Sequence, residues 1–286
     1  MPRKSCNLAT CQVLDLPFST RECSVQLPSD IAVGSVIYGG YVASVMTKYI
    51  DLRNSHIRFY RPIFASAPLM MTLREVNIGK GQSTLRVESF QNEKLVASAD
   101  IAITKLSITG ITFQTDWRLS TPPPVDLTKF ETDSDPNWIS YHCAFIPKDS
   151  EEASSRPSGS GGKARWTNDM IQFVRDMALP IQENYVPHGE GKPLPMGSIA
   201  AMLEFAKRQE KARNEGQSDW RVLNDGARKF WGKILNVSLT LSTEIRQRLP
   251  AEGVRWLYLR TECKGILNDQ MDMGVLNFEI SMKGWI

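Results

Sequence analysis

The feature that most narrows the folds open to this chain is a pattern that occurs twice: an apolar helix stripe followed by alternating strands. In the first copy Val42, Val45, Met46, Tyr49 and Ile50 fall at i, i+3, i+4, i+7 and i+8. That spacing predicts a core-facing helix over Gly40 to Ile50, opened by the pair Gly39-Gly40. Period-two alternation follows over His56 to Tyr60, Leu69 to Ile78, Ser83 to Phe90 and Leu95 to Ile103. Gly79-Lys80-Gly81 and Asn92-Glu93-Lys94 supply turns between the last three runs, with Gln91 after Phe90 read as a turn residue, so the strands read as an antiparallel meander.

In the second copy Thr167 stands as a cap before the stripe Met170, Phe173, Val174, Met177 and Ile181, and the helix is expected to end between Pro180 and Pro187. Strand signals come at Val237 to Ser242, Val254 to Cys263 and Met271 to Met282. Between the copies Pro122-Pro123-Pro124, the acidic run Glu131 to Asp135 and the Ser/Gly-rich run Ser154 to Gly162 read as linker, interrupted by one strand at Trp138 to Ile146. The expected organisation is an internally duplicated chain: residues 1–112, a linker over 113–165, and 166–286. The second unit carries an insertion over 188–229 with an amphipathic helix on Ile199, Met202, Leu203 and Ala206, expected to cover the seam or form a subunit contact. Its last strand is expected to be truncated, because Met282-Lys283-Gly284 leads only to Trp285-Ile286.

Composition excludes several classes. At 286 residues there is chain for about two domains of about 150 residues. The 34 Lys and Arg outnumber the 31 Asp and Glu by only three and are interleaved with them, so no nucleic-acid partner is implied. No apolar run approaches the roughly 18 residues of a membrane span, and the polar Asn7, Thr10, Gln12 and Asp15 argue against a leader. Cys6, Cys11, Cys23, Cys143 and Cys263 are odd in number and widely spaced, which suits free thiols and a cytoplasmic location. His56, His142 and His188 lack metal-ligand spacing, so no metal and no cofactor are expected. A nucleophile elbow is missing, and near Gly159 the phosphate-loop pattern fails at Pro157 and Ala164.

The chain resembles the thioesterase-like superfamily, in particular the double hotdog fold of acyl-CoA thioesterase II, and within it the filamentous-fungal members. In the first half the resemblance is carried by Val33 to Tyr41 (VGSVIYGGY), Phe59-Tyr60-Arg61-Pro62 and Phe90 to Ala97 (FQNEKLVA). In the second it is carried by Trp166-Thr167-Asn168, Phe173 to Met177 (FVRDM), Glu252 to Arg260 and Asn268 to Asp272. It implies an α+β fold with two antiparallel sheets, each wrapped around a long helix, and a small acyl or polyketide-like substrate held at the seam between halves. It implies no membrane partner and leaves self-association open.

By the same resemblance, Gly39 and Gly40 lie where a helix N-terminus polarises a thioester carbonyl, with Tyr38 beside them. Asp176, on the other half's helix, would activate a water as general acid/base, and Ser238, with Asn236 and Thr240 as its neighbours, would help hold that water. The residues alone leave blander readings open. The glycines suit a close helix crossing, Asp176 a surface acid, and Ser238 an outward-facing strand residue; Tyr38 suits either a pocket wall or a hydrogen-bond donor. Three functions follow: a thioesterase-like enzyme, a diverged cyclase, isomerase or lyase of a biosynthetic pathway, or a non-catalytic acyl-binding protein. The resemblance also assigns a polar side chain near the water to the final strand. Its expected truncation therefore favours weak or absent hydrolysis, with the pocket turned to a polyketide-like or terpenoid-like compound.

Overall fold

The structure is a computed structural model, and the residues it describes are 22–33, 35–48, 52–104, 126, 128–129, 132, 134–136, 138–139, 165–176, 181–185, 198–218, 220, 237–268, 270–281 and 284–285. Most of the expected linker, nearly all of its strand at Trp138 to Ile146, Asn236 and much of the insertion lie outside them.

The first half opens with β1 (Glu22–Val25), β2 (Ala32–Val33) and β3 (Val36–Ile37), then the helix α1 (Gly39–Thr47). Four strands follow: β4 (Leu52–Phe59), β5 (Leu69–Ile78), β6 (Gln82–Gln91) and β7 (Lys94–Thr104). The second half contributes α2 (Ile171–Asp176), α3 (Ile199–Asn214), β8 (Thr240–Glu244), β9 (Leu257–Leu267), β10 (Gln270–Ser281) and β11 (Gly284–Trp285). The order β1-β5-β6-β7-β4-β8 makes one six-stranded sheet, antiparallel throughout. A separate sheet has the order β11-β10-β9, and its short strand β11 pairs with the end of β10 at Ser281↔Gly284 and Ile280↔Trp285.

The strands form where alternation predicts them. On β7 Ala97, Ala99 and Ile101 face inward, and the two alanines leave room for the helix that the sheet covers. From Gly40 to Thr47 α1 is buried at every position, the polar Ser44 and Thr47 included, so it is enclosed on all sides and not only along its apolar stripe. Tyr41, Val42, Ala43, Val45 and Met46 join Ile57, Leu69, Val87, Ala97, Ala99 and Ile101 in the core. The helix is shorter than expected: it ends at Thr47, where Lys48 N–H closes a tight turn on the Val45 carbonyl, and β4 begins at Leu52. The β6–β7 turn puts Asn92 and Glu93 both at positive φ, the conformation a two-residue hairpin requires.

The two sequence halves meet in the sheet. β8 pairs with β4 from Asn54↔Glu244 to Arg58↔Thr240, and Phe59 N–H adds a rung to the Leu239 carbonyl. Arg53 Nη1 reaches the Ile245 carbonyl at 2.5 Å, and His56 Nδ1 lies 2.7 Å from Ser242 Oγ on the outer face.

Two further expectations change. The helix in the insertion forms, capped by the Ser198 hydroxyl on Ala201 N–H, but its buried residues are Ala201, Phe205, Ala206, Gln209 and Ala212. Ile199 and Leu203, placed on the buried stripe by spacing, are 68% and 44% exposed. The aromatic Phe205, with small alanines beside it, gives the face that packs most closely. Gln91, expected to be a simple turn residue, is buried: its Nε2 donates to the Phe64 and Ala67 carbonyls and its Oε1 accepts from Phe64 N–H. It fixes the loop after β4, whose Ile63 carbonyl in turn receives Ile37 N–H just before α1.

Replacing Gln91 with Leu strands three backbone groups that its amide now satisfies. The expected loss is about 3 kcal/mol, given about 1–3 kcal/mol for each buried group left unpaired. Urea denaturation checks it: the midpoint should fall with the slope unchanged.

Candidate active site

Tyr38 precedes α1 with extended backbone, and its carbonyl accepts the Tyr41 and Val42 N–H groups. Its side chain does not cap the helix. The cap comes from the other half of the chain: Gly40 N–H donates to Asp176 Oδ2 at 2.6 Å. A carboxylate here meets both an otherwise orphaned amide and the positive end of the helix dipole.

That approach requires glycine. A Cβ on Gly40 would lie 2.5 Å from Asp176 Cβ and 2.8 Å from the Gln172 carbonyl oxygen, inside the helix backbone. At Gly39 the nearest atoms would be Asp176 Oδ2 at 3.1 Å, Ser238 Cβ at 3.4 Å and Phe59 Cζ at 3.6 Å. The close helix crossing and the helix-terminus site are therefore one arrangement.

The second carboxylate oxygen, Oδ1, accepts the Ser238 hydroxyl at 2.5 Å, and the Tyr38 hydroxyl donates to the Asp176 main-chain carbonyl. Phe173 is seated edge-on between Tyr38 and Tyr41, with ring centroids 5.8 and 6.3 Å away. Arg175 turns the other way and ties α2 to β10 through the Val275 carbonyl. Burial pushes the Asp176 pKa above the ordinary carboxylate range, and the Ser238 hydroxyl and Gly40 amide offset part of that rise. A partly buried carboxylate held by two donors, with its proton affinity raised, is equipped to take and return a proton.

Of the residues singled out from sequence, Tyr38, Gly39, Gly40, Asp176 and Ser238 come together here. Thr240 does not join them. The chain bends at Leu239 before β8 begins, so the alternation linking 238 to 240 is broken, and Thr240 is exposed opposite Arg58. Asn236 lies outside the described residues.

The sequence reading missed a second polar group beneath the first. Gln172 Nε2 donates to Ser55 Oγ at 3.1 Å and its Oε1 accepts from Thr243 Oγ1 at 2.7 Å, while the Ser44 hydroxyl accepts Phe173 N–H at 3.0 Å. The signal was present in the alternation. Ser55 shares a face with Ile57 and Phe59, and Thr243 shares one with Leu241 and Ile245, so each is a polar residue on an inward row.

Residues 27–104 match the family model of the acyl-CoA thioesterase N-terminal domain. The likeness to acyl-CoA thioesterases thus holds for residues 27–104, the segment whose strands pack around α1. Comparison with the curated proteins finds no match. Among solved structures, a protein provisionally described as a thioesterase from Novosphingobium aromaticivorans is 12% identical. The match covers 91% of this chain and 89% of that one at a TM-score of 0.53, which establishes likeness of fold. The tesB protein of Mycobacterium avium subs paratuberculosis is 14% identical over 95% of this chain and 91% of that one, with a TM-score of 0.49. A protein provisionally described as a thioesterase II, from Thermobifida fusca, is 15% identical over 65% of this chain and 78% of that one, with a TM-score of 0.44. Nothing in these matches separates filamentous-fungal members from the rest. Among the described residues no helix is long and apolar enough to cross a membrane.

In an exposed helix Gly→Ala is stabilising by up to about 1 kcal/mol. Here Gly40→Ala should do the opposite and cost at least about 3 kcal/mol, since backbone must move to admit the methyl group. Gly39→Ala, which meets a carboxylate oxygen rather than backbone, should cost less. Paired thermal melts of the two variants test this ordering.

Proposed function

We propose that the chain is a double hotdog enzyme acting on an acyl thioester or a polyketide-type intermediate, with Asp176 as general acid/base at the seam between halves. In this reading residues 1–112 and 166–286 are the two hotdog units and 113–165 links them. The β4–β8 ladder and the contact of α1 with α2 support that arrangement. The observation that carries the function is the Asp176 carboxylate, drawn into the N-terminus of the other half's helix and held by Gly40 and Ser238.

For hydrolysis, the Asp176 carboxylate accepts a proton from water as the oxygen adds to the thioester carbon. The tetrahedral intermediate then expels the thiolate, which takes the proton back from Asp176, leaving acid and thiol. Ser238 keeps the carboxylate aimed, and the aromatic rings of Tyr38, Phe59 and Phe173 limit water around it. Raised proton affinity suits both halves of this cycle, because the aspartate must gain the proton and then release it.

One observation favours the non-hydrolytic reading, a cyclase, isomerase or lyase. The Gly40 amide, which in a thioesterase would polarise the substrate carbonyl, is already engaged by Asp176. Proton transfer alone needs no free amide at that position. Turnover of acyl-CoAs in ¹⁸O-labelled water separates the two, since only hydrolysis puts label into the acid.

Asp176→Asn keeps volume and removes the base. Activity against a panel of short- to long-chain acyl-CoAs, or on the substrate that panel fails to include, should fall by about 100-fold or more, within the range general base catalysis supplies. Wild-type turnover in that variant would refute the assignment. The pH dependence carries a second expectation. Because the folded-state pKa of Asp176 is raised, the folded protein binds more protons than the unfolded chain between the two pKa values, and stability from this group falls as pH rises through that window. The melting temperature of Asp176→Asn relative to wild type should therefore increase from mildly acidic to neutral pH. The acid limb of the activity profile should lie above the ordinary carboxylate range.

A further inference from the structure

The chemistry above makes no use of Gln172, although its surroundings are among the most constrained in the molecule. Its side chain is 2% exposed, Ser55 0% and Thr243 2%, and its amide is bonded at both ends. Ser55 and Thr243 are register partners, directly opposite on β4 and β8, so the amide lies across a rung where strands from the two halves meet. Residues 172 and 176 are four apart, which puts them on one face of α2, a turn from each other.

We propose that Gln172 is a positioning residue for Asp176: held between Ser55 and Thr243, its amide sets the rotation and depth of α2 and so delivers the carboxylate to Gly40 and Ser238. The role in turnover rests on the reading of Asp176 as the acid/base group; the role in geometry does not. Helical propensity does not set where a helix sits against its neighbours, so tertiary contacts must impose the orientation of α2. An apolar side chain at 172 would fill the same space but would tolerate sliding and rotation. An amide does not, because oxygen must meet the Thr243 hydroxyl and nitrogen the Ser55 hydroxyl. The Ser44 hydroxyl on Phe173 N–H holds the next residue to α1, so α2 is tied to β4, β8 and α1 just below the carboxylate. Burying three polar side chains where aliphatic ones would pack is costly unless every bond is made, and here the amide joins them in one unit.

The test is a triple variant, Gln172→Leu with Ser55→Ala and Thr243→Val, which removes all three polar groups together and leaves none of them orphaned. Replacing both sides of a buried hydrogen bond with apolar groups is nearly neutral for stability, so the variant should melt close to wild type. If Gln172 positions Asp176, kcat should fall about 10- to 100-fold, as for a misplaced catalytic group, with KM changed by less than about threefold. The Gly40 amide proton, now donated to a carboxylate, should move upfield in the NMR spectrum. A triple variant with wild-type kcat and an unmoved Gly40 resonance would overturn the proposal. Should that variant not fold, Thr243→Val alone, which is nearly isosteric and leaves Gln172 Oε1 without its donor, should shift the Gly40 resonance in the same direction; an unmoved resonance overturns the proposal there too. Failure of the functional reading looks different. In that case wild type turns over no acyl thioester, or Asp176→Asn matches it, while the Gly40 resonance still reports on positioning.

Discussion

Two helices from distant parts of the chain touch at a glycine, and the arrangement around Asp176 depends on that contact. Without a Cβ at Gly40, the backbone of α1 comes close enough to α2 for an aspartate on one to cap the other. A methyl group there would push the helices apart and break the carboxylate–amide bond. It would also move Asp176 away from Ser238, because that bond is only 2.5 Å long. Packing at one atom and chemistry at the next are thus the same constraint.

The seam is unusual for a protein interior in being polar. Gln172, Ser44, Ser55 and Thr243 lie in the space between helices and sheet, where aliphatic side chains would cost less to bury. Each is bonded to a group on a different element, so together they specify how the elements are placed as well as how closely they pack. The same burial desolvates Asp176 and raises its affinity for a proton, so the surroundings that orient the group also tune it.

Much of this was legible in the sequence. Alternation located β5, β6, β7 and β10 to within a residue or so; β5, β6 and β7 each turn one face to the core, and turn residues stand at their ends. The glycine pair, Asp176 and Ser238 were each identifiable, and the structure brings them into contact. Other features were not legible, for reasons that are physical. The second helix was expected to be helical from its cap at Thr167, yet it opens with a 3-10 turn at Asn168–Met170 before α2, and residues 177–180 of the expected span lie outside the described residues. The buried face of α3 was misjudged because Ile199 and Leu203 are more apolar than the alanines that pack. Thr240 was grouped with Ser238 on the assumption of an unbroken strand, which the bend at Leu239 interrupts. Gln172 could not be found by pattern, because its partners are 117 and 71 residues away.

The ladder between β4 and β8 also says something about how the molecule is made. Asn54 and Glu244 are register partners though their synthesis is separated by most of the chain. At about 5–20 residues per second on the ribosome, β4 is finished about 10 to 40 seconds before the strand that covers its edge exists. During that interval the first half presents an open edge of backbone donors and acceptors, the kind of surface that pairs with other nascent chains. The exposed side chains along β4 include Asn54 and Arg58, and charged or polar residues discourage such pairing. β4 is therefore built to wait for the strand that closes the seam.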